Sequence, residues 1–198
     1  MKRLGPPTFP PTGSWDRRMR EPACSDLVPV TTAHENPWFS VRDRAGYFTV
    51  EYQDSHVTVL PVIDDSSVVM VRVKRPVVCD SPLEYPGGTG RPEEHPVAVA
   101  ARELREETGI SVVDPARYKP MAPIAVSSTR MPRLAYVFRV DITRAEFDRR
   151  QAHDDEIEDV VELDLDALTR LLVDGGIYVS VPLAVTARFL ASRTRSTA

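Results

Sequence analysis

Apolar and polar positions set two periods along this chain. Residues 57–63 and 68–75 are apolar and rich in valine, and they flank Asp64-Asp65-Ser66-Ser67, the pattern of a strand hairpin. Upstream, residues 38–42 and 47–52 flank Asp43-Arg44-Ala45-Gly46. Aromatic and β-branched residues with a glycine in the turn predict another hairpin there. Residues 120–126, 134–141 and 160–163 read as further strands. Three segments follow the helical period instead. The clearest is 95–108, with Pro96 in its first turn and Gly109 after its last, the asymmetry expected of helix ends. A second helix is predicted over about 165–173, stopping at Gly175-Gly176. A third starts after Ser180, has Pro182 in its first turn, and carries Leu183, Ala187, Phe189 and Leu190. Strands interleaved with few helices predict an α/β or α+β domain with a mixed sheet.

Residues 1–36 show neither period. Seven of the 18 prolines fall in residues 1–37, and proline removes backbone donors and favours extended chain. The expectation is a Pro-rich arm over 1–36, mobile or laid on a partner, with order beginning near Pro37 and one domain over 37–194. A chain of 198 residues suits that division. Cys24 and Cys79 are too few for a disulfide framework, and no paired-cysteine spacing suggests zinc. A net charge of −4 argues against a nucleic-acid partner held by bulk electrostatics. No apolar run approaches the length of a membrane span. The basic start at Met1-Lys2-Arg3 lacks the apolar stretch of a secretion signal. These features lead us to expect a cytoplasmic protein with no membrane or nucleic-acid partner.

The candidate chemistry sits on the first helix. At 100° per residue, Glu103, Glu106 and Glu107 share one face, because positions i, i+3 and i+4 do. Val97, Ala100, Ala101, Leu104 and Thr108 occupy the adjoining arc. Arg102 borders the acids and can pair with Glu106 one turn on. At about 6 Å and an effective dielectric of 20, each like-charge pair costs roughly 3 kcal/mol. Full solvation reduces that to a few tenths, so a plain charged face is one reading. A hard divalent cation is the other, since Mg²⁺ or Mn²⁺ takes oxygen ligands and substrate phosphates. The preceding Pro86-Gly87-Gly88-Thr89-Gly90 reads as a loop joining a strand to the helix, its glycines free to turn tightly and approach a ligand.

The joint spacing separates these readings. Gly88, five residues, Glu94, seven residues, Arg102-Glu103-Leu104, one residue, Glu106-Glu107, one residue, Gly109-Ile110 resembles the Nudix hydrolase signature at every specified position. The resemblance extends more loosely from about Trp38 to Leu190. It implies the Nudix fold, an α/β/α sandwich around a mixed sheet, here preceded by an N-terminal hairpin and the Pro-rich arm. It implies metal-dependent hydrolysis of a nucleoside diphosphate linked to another group. Carried over by position, Glu103, Glu106 and Glu107 would bind Mg²⁺ or Mn²⁺ with the backbone oxygen of Gly87. Arg102 would orient the glutamates, Gly88 and Gly109 would shape turns, and Glu94 would brace the loop.

Residues 68–75, followed by Glu84-Tyr85-Pro86-Gly87-Gly88, look like the ADP-ribose and nucleotide-sugar pyrophosphatase branch. That likeness makes Arg75 a phosphate or ribose contact and Glu84 a hydrogen-bonding partner of the substrate. The alternatives are a solvated strand-end arginine and a structural acid. Residues 146–166 hold ten acids and two bases, where this branch carries an acidic loop. Glu156 is the expected catalytic acid, with Asp154 and Asp155 close behind and a solvated charge run as the alternative. Trp38 would stack on the base, or serve as a core or interface aromatic, and the N-terminal strands suggest a homodimer. In place of the branch's Ser-Pro-Gly-like motif stands Ser127-Ser128-Thr129, which favours the wider nucleotide-sugar class over ADP-ribose itself. The rivals are a sanitising nucleoside triphosphate pyrophosphohydrolase and a Nudix-fold ligand-binding regulator. The intact glutamate set and the lack of a helix-turn-helix favour an enzyme acting on a small-molecule nucleotide.

Overall fold

The computed structural model describes residues 24, 26–91, 94–151 and 154–196. Its strands are β1 (Val30–Glu35), β2 (Ser40–Arg44), β3 (Tyr47–Glu51), β4 (Ser55–Ile63), β5 (Ser67–Val73), β6 (Leu83–Glu84), β7 (Gly87–Gly90), β8 (Tyr118–Ala125), β9 (Leu134–Ile142) and β10 (Ile157–Asp164). Its α-helices are α1 (Pro96–Thr108), α2 (Arg144–Asp148), α3 (Leu165–Val173) and α4 (Ser180–Ser196). The central sheet runs β10-β5-β4-β9-β8, with β6 on β5 and β7 on β4. Only the β4–β9 pair is parallel among its ladders, so the sheet is mixed.

Strand alternation divides the core. Val57, Val59 and Ile63 of β4 face Val97, Val99, Ala100 and Leu104 of α1. Leu60 and Val62 face the other way, into a core with Leu168 of α3 and Val181, Val185 and Phe189 of α4. Full burial of side chains this size contributes roughly 1.5–3 kcal/mol each. The result is the expected α/β/α sandwich.

The feature that positions the site is a fork between β4 and β5. These strands pair only near their turn, through Val62↔Val68 and Ile63↔Ser67. Beyond it they part. β7 takes the freed edge of β4 over Ser55–Thr58, and β6 takes Val71 and Arg72 of β5. Pro86 bridges the two, its carbonyl accepting from Val59 N at 2.7 Å.

Four details differ from the expectations. Residues 87–90 are a strand, not a loop, and their glycines serve close approach. A Cβ on Gly87 would lie 2.3 Å from Val57 O, and one on Gly90 2.3 Å from Val99 Cγ2. Order begins before Pro37, because β1 pairs with β2 and completes a separate β1-β2-β3 sheet. Residues 1–23, the bulk of the expected arm, lie outside the described residues. The short helix α2 carries a full capping box between Thr143 and Glu146. Finally, β10 starts at Ile157 and pairs with β5, so Glu158, Asp159, Glu162 and Asp164 belong to a strand.

Candidate active site

Helix α1 is fixed at both ends. His95 caps its start, Nδ1 accepting from Val97 N at 3.3 Å, and Gly109 ends it in the left-handed region at φ 71°. Glu103, Glu106 and Glu107 therefore fall in its last turns, at the negative end of the helix dipole. Glu103 is nearly buried at 8% exposure. Its carboxylate lies against Gly88, where an added Cβ would stand 2.4 Å from Oε1. Burial pushes the Glu103 carboxyl above its usual range, against the opposing pull of Arg102.

Arg102 gathers the acids. It pairs with Glu103 at 2.8 Å, Glu106 at 3.0 Å and Glu94 at 3.6 Å, and donates to Thr89 O at 3.1 Å. Burial works against its charge, but Glu103, Glu106 and Glu94 hold its pKa above the ordinary arginine value. The positions read as orienting residue and loop brace are thus joined to the glutamates.

Glu107 points to the fork, where its Oε2 accepts from Gly87 N at 2.9 Å. Gly87 lies opposite Thr58, flanked by the hydrogen-bonded pair at Pro86 and Val59. In an antiparallel ladder that register turns the N–H and carbonyl of Gly87 away from β4. Burial raises the Glu107 carboxyl to about 7; the Gly87 N–H opposes the rise and Glu103 adds to it.

Arg75 stands just past β5, bridged to Asp80. Its Nε and Nη2 each lie 2.9 Å from a Glu84 carboxylate oxygen, a two-point ion pair. That bond, followed by the fields of Glu84, Glu107 and Glu156, raises the Arg75 pKa against the cost of burial. Arg75 is therefore paired, with its side chain still 43% exposed.

The acidic segment docks on the end of α1. Gln151 N donates to Gly109 O at 2.9 Å, and Asp154 N donates to Glu106 O at 2.8 Å. Ile157 N then closes a turn onto Asp154 O at 3.1 Å. A Cβ on Gly109 would lie 1.9 Å from Gln151 O, so this approach requires glycine. Glu156 lies in that turn, within electrostatic reach of Arg75.

The structure thus brings together Arg102, Glu103, Glu106, Glu107, Gly87, Arg75, Glu84 and the Glu156 turn. Trp38 stands apart in the β1–β2 turn of the N-terminal sheet, 73% exposed, its backbone N–H donating to Asn36 Oδ1 at 2.9 Å. Two residues that the sequence did not mark as binding groups, His56 and Arg133, interact electrostatically, and His56 also feels Glu84 and Arg75. Burial, then Arg133, disfavour the imidazolium of His56 and lower its pKa to about 4, although part of its surface stays exposed. No spacing in the sequence links His56 to Arg133; only the parallel β4–β9 register does.

Among the described residues, no three His, Cys, Asp or Glu side chains converge on one point as a preformed metal cage. Arg102 draws Glu103 and Glu106 one way and Gly87 draws Glu107 another. The donor set nevertheless fits a hard divalent cation: three carboxylates and a backbone carbonyl turned off the ladder. Two of the carboxyls are held above their usual range, and a cation would relieve that burial and repulsion.

Comparison with known proteins agrees with this geometry. A NUDIX domain model matches residues 53–180. ADP-ribose pyrophosphatase of Bacillus subtilis (strain 168) is 26% identical over 122 residues, 62% of this chain and 64% of that protein. The match thus spans less than two thirds of that relative's length. A solved structure of an ADP compounds hydrolase superposes with a TM-score of 0.63 at 16% identity, covering 86% of this chain and 94% of the other. At that identity the likeness speaks for the fold.

Proposed function

Because the chain belongs to the Nudix family, we propose that it hydrolyses a nucleoside diphosphate linked to another moiety, ADP-ribose or another nucleotide sugar. The products are a nucleoside monophosphate and a sugar phosphate. One observation carries the reading. The fork between β4 and β5 sets Gly87 against Glu107 and directs the Arg75–Glu84 pair to the same place. The likeness to ADP-ribose pyrophosphatase supports the substrate class.

Glu103, Glu106, Glu107 and the Gly87 carbonyl would hold Mg²⁺ or Mn²⁺. When bound, such ions neutralise the diphosphate, orient it and acidify water. The protein's own residues do the rest. Arg102 restrains Glu103 and Glu106 while they are without a cation. Burial raises the Glu107 carboxyl to about 7 while no cation is bound, and a cation held there would favour its ionised form. Glu156 sits on a turn bolted to α1 through Gln151 and Asp154, and it would accept a proton from the attacking water. The Arg75 charge is shared with Glu84 and balances the acids around it.

The proposal includes a homodimer through the N-terminal sheet. That sheet and its approach expose Val28, Val30, Trp38, Tyr47 and Phe48, an apolar surface of the kind that marks an interface. A substrate panel tests the proposed function directly. ADP-ribose and other nucleotide sugars should release nucleoside monophosphate in Mg²⁺ or Mn²⁺ and not in EDTA. Faster release of pyrophosphate from triphosphates would make the protein a sanitising enzyme. Binding without turnover would make it a regulator.

A further inference from the structure

Strand β6 carries one of the site's acids on very little ladder. It is two residues long and pairs with β5 only through Arg72↔Leu83 and Val71↔Glu84. Pro82 and Pro86 flank the segment and bring no N–H. A slip of one residue would turn Glu84 to the opposite face of the sheet. Yet Glu84 is held closely enough to take two bonds of 2.9 Å from Arg75.

The register is fixed from the other face. Leu83 and Tyr85 both sink into the core shared with Val181, Val185 and Phe189 of α4, and strand alternation turns Glu84, between them, the opposite way. Apolar burial is not directional, but one contact here is. Tyr85 Oη and Thr186 Oγ1 of α4 share a hydrogen bond of 2.9 Å. Tyr85 is 4% exposed and Thr186 fully buried, and among the described residues neither hydroxyl has another partner. Burial pushes the Tyr85 phenol above its usual range, so it remains a neutral O–H. A buried hydroxyl that loses its partner is costly, so this bond selects the depth at which Tyr85, and with it Glu84, sits. The segment leading into α4 reaches the other half of the ion pair. Tyr178 Oη donates to Asp80 Oδ2 at 2.6 Å, and Asp80 O accepts from Arg75 N at 2.8 Å. Past Tyr85, Pro86 and Gly87 have anchors of their own on β4 and Glu107. Loss of the Tyr85 hydroxyl therefore bears on Glu84 and not on the Gly87 arm.

We propose that Tyr85, bonded to Thr186, is a positioning residue: through it α4 sets Glu84, and with Glu84 the Arg75 guanidinium, for the nucleotide substrate. This deepens the hydrolase reading and rests on it for the nature of the ligand. Tyr85 itself touches no substrate. Without its bond β6 samples other placements, and affinity falls with the fraction of molecules that keep Glu84 in place.

A double-mutant cycle separates positioning from plain stability. ADP-ribose and UDP-glucose are titrated calorimetrically in EDTA against the full chain, and the tighter binder is carried to the variants. Tyr85→Phe and Thr186→Val each delete one hydroxyl and keep the packing. Each should weaken binding by about five- to tenfold, the worth of one buried hydrogen bond, and the two together no more than either alone. In a Glu84→Gln background, Tyr85→Phe should change the affinity by less than about twofold. Thr186→Ser, which keeps the hydroxyl, should bind as the unaltered protein does. A merely structural bond would lower the melting temperature and cost the same affinity, or none, in both backgrounds. The proposal is overturned if Tyr85→Phe stays within about twofold of the unaltered protein, if its loss is undiminished in Glu84→Gln, or if neither nucleotide sugar binds. Where Tyr85→Phe melts below the titration temperature, Thr186→Val in the same two backgrounds decides. No turnover is read here. A protein that meets these expectations but leaves both compounds intact in Mg²⁺ would defeat the hydrolase reading and not this one. Hydrolysis in Mg²⁺ with binding by Tyr85→Phe unchanged would do the reverse.

Discussion

Glu107 is the residue at which the electrostatics of the site are most exposed to test. Its carboxyl is raised from 4.5 to about 7, first by burial, so the folded state binds its proton more tightly than the unfolded chain. The stability it contributes is present below pH 4.5 and is lost as pH rises through 7. His56 works in the opposite sense. Its pKa falls from 6.5 to about 4, so its contribution is present above 6.5 and is lost as pH falls through 4. In EDTA at pH 8, Glu107→Gln should therefore melt about 2–4 °C above the unaltered protein, the shift that ~1 kcal/mol gives in a domain of this size. At pH 4 the two should coincide. Adding Mg²⁺ at pH 8 should raise the melting temperature of the unaltered protein and leave the variant where it was. Equal melting at pH 8, or an equal response to metal, would sink the assignment. Glu156 gives a kinetic counterpart. Glu156→Gln should lower kcat by roughly 10²–10⁴ with little change in KM. The same loss in Asp154→Asn or Asp155→Asn instead would move the role along the turn. No effect from any of the three would leave a solvated acidic run.

At the scale of elements, the glycines of β7 have separate tasks. A Cβ on Gly88 meets the mobile end of Glu103, whereas one on Gly87 meets backbone at Val57 O. Gly88→Ala should displace the carboxylate, cutting activity by about 10²-fold while the melting temperature stays within a few degrees. Gly87→Ala should unfold the fork itself and lower the melting temperature further. Thermal melts and rates on both variants check this, and equal destabilisation would contradict it. The same contrast shows what could be read from sequence. Helix α1 is legible because Pro96, Gly109 and the apolar stripe all agree with it. Strand β7 is not, because glycines carry no periodicity and its extended form comes from the edge of β4. The start of β10 hides under acids that a strand seldom carries, held by pairing with β5. Helix α2 was within reach, since Thr143 and Glu146 form a capping box visible in the sequence. Arg133 was not, because its setting comes from Tyr52, distant in the chain.

The whole molecule joins two sheets and one site. The three-stranded sheet touches the central domain through the turn after β8, where Val50 N donates to Arg130 O at 2.7 Å and Arg130 Nη1 donates to Phe48 O at 3.0 Å. That turn holds Ser127-Ser128-Thr129, the place where the resemblance departs from the ADP-ribose pattern. If the exposed apolar residues of that sheet form an interface, sedimentation should show a dimer. Trp38→Glu should then shift it to monomer with the fold intact, and a monomer in the unaltered protein would dispose of the idea. The most direct test of the central claim is a comparison of kcat/KM in Mg²⁺ for ADP-ribose, other nucleotide sugars and nucleoside triphosphates, with every product identified. ADP-ribose or another nucleotide sugar should give the highest value, with nucleoside monophosphate and sugar phosphate in equal amounts and no pyrophosphate. A higher kcat/KM for a triphosphate, with pyrophosphate released, would contradict it.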